Sequence, residues 1–147
     1  MRSSVHISKI TLIAGAFIWV GMVIGISFLE SWLKFQAPGI TIDLGVGIGQ
    51  LVYSLLNKVE ILLAVIVLFG WWLSGRRFQL NGSLIALAIS VIVLMVQTLV
   101  LLPLMDARAD LRLSGVSVGP SLLHVYYVAG EMLKIAGLTI FAIKIIQ

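Results

Sequence analysis

The sequence predicts an all-α integral membrane protein, a four-helix bundle forming a single transmembrane domain over 1–147, with both termini cytoplasmic. Three observations predict it. The 147-residue chain is 61% apolar with a mean hydropathy of +1.15, against an apolar share of roughly 45–50% in soluble domains. Four apolar stretches each reach the roughly 20 residues that a helix rising about 1.5 Å per residue needs to cross hydrocarbon. The basic residues are sorted by connector, as the positive-inside rule requires.

The first span covers about 10–33. Its apolar run is too long for a secretory leader and no small-residue cleavage pattern follows, so it is expected to be retained. A connector holding Lys34, Pro38, Gly39 and Asp43 leads into the second span, about 46–73. Gly45, Gly47 and Gly49 stand at its start, where they allow close packing and follow no phosphate-loop pattern. A short turn with Gly75, Arg76, Arg77, Asn81 and Gly82 precedes the third span, about 83–105. A polar connector over 106–119 ends at Gly119-Pro120, and proline suits the first turn of the fourth span, about 120–146. With no water in the hydrocarbon to satisfy backbone groups, each span must be helical.

Orientation follows from charge. Arg2, Lys9, Arg76, Arg77 and Lys144 fall on one side without an acid. Lys34, Arg108 and Arg112 fall on the other, beside Asp43, Asp106 and Asp110. The side without acids reads as cytoplasmic. Trp71, Trp72 and Trp32 sit where interfacial aromatic belts belong. The expected location is the cell (inner) membrane, with the lipid bilayer as the first partner.

Ionisable residues inside spans carry the functional signal. A charge at a helix centre costs about 2.5–3.5 kcal/mol on insertion scales, so such residues tend to face a cavity or a partner. At 100° per residue, Gln50, Tyr53, Asn57 and Glu60 share an arc of about 80° on the second helix. His124, Tyr127, Glu131 and Lys134 repeat the same offsets on the fourth, which hints at a duplicated helical hairpin. Ser83, Ser90 and Gln97 recur at heptad spacing on the third. Glu30 is expected on the face of Trp19, Val23 and Ile26.

These residues predict a polar pocket running from the non-cytoplasmic end to mid-membrane. Its ion- or ligand-binding set is Glu60, Glu131, Lys134, Asn57, Tyr53, Gln50, His124, Tyr127 and Gln97. Its mouth is Glu30, Asp106 and Arg108. The plainer alternative is fastening: polar side chains between transmembrane helices contribute about 0.6 kcal/mol per hydrogen bond, and Glu60 with Lys134 would make a structural ion pair. His124, Glu131, Glu60 and Glu30 are candidate metal ligands of the carboxylate-plus-histidine type found in helix bundles, without the usual Glu-x-x-His spacing. Lys58 lies about 160° around the helix from Glu60, on another seam. Gly21 and Gly25 form a small-xxx-small motif suited to close helix contact, including a homo-oligomer.

Several classes are excluded. Without cysteine there is no disulfide, thiolate metal site or thiol nucleophile. The net charge of +4 is not gathered in a patch, so no nucleic-acid partner is expected. No nucleotide loop, nucleophile elbow or zinc-protease motif is present. No catalytic motif is recognised and no cofactor is specified. The leading expectation is a small transporter or channel-like protein with a proton- or cation-linked site. The alternatives are a membrane-embedded binding or enzymatic site for a metal, quinone or small ligand, and an accessory subunit of a larger complex.

Scattered residues add a resemblance. The first helix carries Trp19 and leads into Phe35 and Pro38. A Gly-x-Gly-x-Gly-Gln stretch over 45–50 starts the second. Leu102-Pro103 followed by charge ends the third, and Leu123-His124 opens the fourth. This layout resembles the small four-helix membrane family of unknown function typified by transmembrane protein 205. The resemblance implies the four-span architecture and, through that family's links to metal-drug resistance in animals, a transport role. Glu60, Glu131 and Lys134 fall outside it.

Overall fold

Every regular element of this computed structural model is helical among the described residues, which are 2–74 and 81–147, with side chains from residue 9 onward. Arg76, Arg77 and the side chain of Arg2, used above for orientation, lie outside that description. Helix α1 begins as Arg2–Val23, widens to a π-helical stretch over Ile24–Glu30, and closes through Ser31–Leu33 and a 3-10 turn at Lys34–Gln36. Helix α2 is Ile42–Leu73. Helix α3 runs Gly82–Val96, then a π-helical stretch Gln97–Leu101, then Leu102–Leu113. Helix α4 is Leu123–Ile146.

Local chemistry explains the boundaries. The Thr41 hydroxyl accepts the Leu44 amide at 3.2 Å, so α2 starts earlier than hydropathy predicts. Asn81 caps α3 in the same way, its side chain accepting Leu84 N–H at 2.9 Å. Residues 106–113, expected as connector, continue α3, since Ala, Arg and Leu favour helix over a polar sequence. That helix stops at Gly115, whose φ of +85° lets Val116 N–H reach Leu111 O and Gly115 N–H reach Arg112 O. Pro103 explains the widened turn in α3. Its missing N–H breaks the ordinary ladder, and Leu102 N–H bonds instead to Gln97 O, five residues back.

Among the described residues, three helical stretches are long and apolar enough to cross a membrane: Lys9–Gln36, Ile42–Leu73 and Gly82–Leu113. The predicted fourth span, α4, has 24 residues, enough in length. It carries Glu131 and Lys134 on its buried face. α2 and the α3 stretch have 32 residues each, about 48 Å against roughly 30 Å of hydrocarbon. Their excess turns wall the cavity described below.

α4 is the hub, packed against α1 and α3, while α1 also packs on α2. Lys9 donates to Ile146 O at 3.0 Å, so the chain's two ends meet at one end of the bundle. In that half Leu12, Trp19, Val67, Trp71, Leu87, Leu138 and Phe141 form a continuous buried core. Close approach there depends on Gly137: a Cβ would lie 2.4 Å from Ser90 Oγ and 2.9 Å from Ala86 O. The outward faces are apolar, with Leu51, Leu99 and Trp72 the most exposed large apolar side chains among the described residues, as contact with lipid tails requires.

Candidate functional site

The polar residues separate into two groups. Mid-bundle, Glu60, Glu131 and Lys134 are all fully buried. Lys134 Nζ donates to Glu60 Oε1 and lies 3.0 Å from Glu131 Oε2. Trp19 Nε1–H donates to the same Glu60 oxygen at 2.8 Å. Gln97, turned inward at the widened turn of α3, donates to Tyr127 O at 3.1 Å and to Glu131 Oε1 at 3.3 Å. Ser90 reaches the Lys134 carbonyl at 3.4 Å. All four helices therefore meet on one ionic cluster. It holds two carboxyls and one ammonium, and Glu60 Oε2 has no hydrogen-bond partner among the described residues.

Above it, toward the end away from the termini, two tyrosines form a layer. The Tyr53 and Tyr127 rings meet edge to face with centroids 5.2 Å apart, and His124 stands 6.3 Å from Tyr53. Both tyrosines are buried. Asn57, just below on α2, is spent on a helix contact, donating to Thr98 Oγ1 at 2.7 Å.

Beyond this layer lies a cavity of about 520 Å³. The ends of α1, α2 and α3 and the chain leading into α4 enclose it. Gln50, Tyr53, Asp106, Arg108 and His124 line it, with Lys34 and Arg112. Apolar wall comes from Phe35, Val46, Leu102 and Met105. Gln50 ties α2 to α3, donating to Asp110 Oδ1 at 2.9 Å and Asp106 O at 3.3 Å. Lys34 lies over the Tyr53 ring, 5.9 Å from its centroid, and fits there because Gly49 has no Cβ.

The expected pocket from the mouth to mid-membrane is therefore interrupted. Glu60, Glu131 and Lys134 do not line the cavity. Glu30 is not on its wall either; it pairs with Lys34 at 3.4 Å. The widened turn over Ile24–Glu30 is the reason. Bonds to the fifth residue insert extra chain per turn, so the buried face runs Trp19, Val23, Ser27 and Glu30 rotates off it. The proposed metal set is consequently divided among three places, and no group of three or more His, Asp or Glu is placed to hold a metal among the described residues.

Sequence reasoning missed Trp19 as a carboxylate partner, and Lys34 and Arg112 as cavity residues. Trp19 did carry a signal: a mid-span indole N–H needs an acceptor. Lys58 is exposed on the outer face of α2. Among the described residues, no side chain or neighbouring helix comes within 4 Å of a would-be Cβ at Gly21 or Gly25. Compared with known proteins, the chain matches no family model, and neither a curated protein nor a solved structure is significantly similar.

Proposed function

We propose that this chain is a multi-pass membrane protein that binds a small ligand in a pocket with a closed floor. Four crossings with both termini cytoplasmic in the inner membrane complete the proposal, and the pocket then opens to the non-cytoplasmic side. One observation carries the reading: a cavity of about 520 Å³, within the usual 300–1,000 Å³ of small-molecule sites, rests on the buried Tyr53–Tyr127 pair. The resemblance to the four-helix family stays part of the proposal and supports architecture alone. A second copy docked on the Gly21–Gly25 face belongs to it as well.

A proton- or cation-linked transport role is the second reading, favoured by the charge of the ionic cluster. Two carboxylates against one ammonium leave a net negative charge in a dry interior, which is unfavourable unless a proton or cation balances it. Transport through this cluster also requires the tyrosine layer to open.

The absence of native cysteine makes the test clean. An impermeant maleimide added from the cavity side is expected to label Ala109→Cys on the cavity wall and to spare Asn57→Cys beneath the tyrosines. Comparable labelling of both would refute the closed floor. Proton flux in dye-loaded proteoliposomes, lost in Glu60→Gln and Glu131→Gln, would establish the transport reading instead.

A further inference from the structure

Among the described residues, not all of the cavity's charges are paired. Arg112 is paired with Asp43 at 2.9 Å and Lys34 with Glu30 at 3.4 Å. Two lining charges of opposite sign remain. Arg108 donates to the Gly119 carbonyl and has no carboxylate within ion-pair distance among the described residues. Asp106 likewise has no cation within that distance. Both are half-buried, on the same stretch of α3, and both face one cavity.

A ligand bearing only an anion would leave Asp106 as an uncompensated repulsive group. A ligand bearing only a cation would leave Arg108 as the uncompensated group. Desolvated charges left unpaired oppose binding, whereas charge-assisted hydrogen bonds favour it. The apolar wall of Phe35, Val46, Leu102 and Met105 adds contact area for a hydrocarbon body.

We propose, building on the pocket reading above, that the cavity recognises a zwitterion with an apolar body. Its ammonium is set against Asp106 and its phosphate or carboxylate against Arg108. Two sources offer this chemistry: a free amino-acid-like solute, and the ammonium–phosphate headgroup of a lipid.

The test uses the full-length protein in detergent with four probes: dihexanoyl-phosphatidylethanolamine, dihexanoyl-phosphatidylglycerol, hexylamine and leucine. Titration calorimetry gives affinity, and protection of Ala109→Cys from maleimide shows where each probe binds. The phosphatidylethanolamine probe is expected to bind at least about tenfold tighter than the phosphatidylglycerol probe or hexylamine, the size of one charge-assisted contact. Asp106→Asn should erase that preference. Arg108→Gln should weaken phosphatidylethanolamine by about tenfold and Arg108→Lys should restore most of it, with helical circular dichroism unchanged in all three variants.

Leucine binding as well as phosphatidylethanolamine supports the free solute as source. Phosphatidylethanolamine binding without leucine supports the lipid. Equal affinity for a singly charged probe that still shields Ala109→Cys overturns the zwitterion and leaves the pocket standing. No binding of any probe to a protein whose Ala109→Cys remains reactive does the same. An Ala109→Cys that never reacts overturns the pocket, and this inference with it.

Discussion

The half of the bundle holding the termini and the half holding the cavity contain the same kinds of side chain and use them differently. In the first, Glu60, Glu131 and Lys134 are closed over by Trp19, Gln97 and Ser90 and exclude solvent. In the second, Asp106, Arg108 and His124 stand around an open volume. The difference lies in the neighbours. Gly137 lets α3 and α4 approach closely, and Trp19 and Phe141 fill the interior. At the far end the long α2 and α3 continue beyond the apolar core, tied by Gln50 to Asp110, and wall the cavity. Packing, not side-chain identity, therefore decides whether a polar residue of this bundle is sealed in or left facing open space.

The sharpest way to break this comparison is Lys134→Met. It removes the ammonium from two buried carboxyls and should destabilise the bundle by about 3–5 kcal/mol, read by reversible unfolding in bicelles. Adding Glu60→Gln and Glu131→Gln should recover most of the loss, because the uncompensated charge is then gone. A Lys134→Met protein as stable as the parent would refute the cluster as a fastening. Trp19→Phe deletes the indole donor to Glu60 and leaves a small cavity where the larger ring was buried. The expected loss is at least about 1.5–3 kcal/mol, the usual worth of a hydrogen bond to a charged group, with the cavity cost added to it.

Gly137→Ala probes packing rather than charge. Its new methyl would press on Ser90 Oγ and the Ala86 carbonyl, and overpacking of this kind costs about 1–3 kcal/mol. Gly21→Ala, with open space around it, should leave monomer stability unchanged in the same assay. A small effect is also expected in the cavity half. Arg112→Gln breaks an exposed pair with Asp43 and should change stability by no more than about 1 kcal/mol. A large loss there would erase the distinction between the halves.

Much of the fold could be read in the sequence because hydropathy and helical spacing are local. The three long apolar stretches and the shared faces of Gln50, Tyr53 and Glu60 needed no tertiary information. The site was less legible. Glu30 was misplaced because a constant 100° per residue cannot anticipate a widened turn. Thr98, the acceptor for Asn57, lies 41 residues away from it, and no spacing rule connects them.

By itself the sequence determined that ionisable residues stand deep within apolar helices, since depth follows from position along a span. Only the tertiary structure decided which of them see open space. Exposure depends on how closely neighbouring helices approach and on which side chains fill the gap. Tyr53 and Tyr127 settle that question here: their rings meet across α2 and α4 and divide one polar stripe into a sealed cluster and an open pocket.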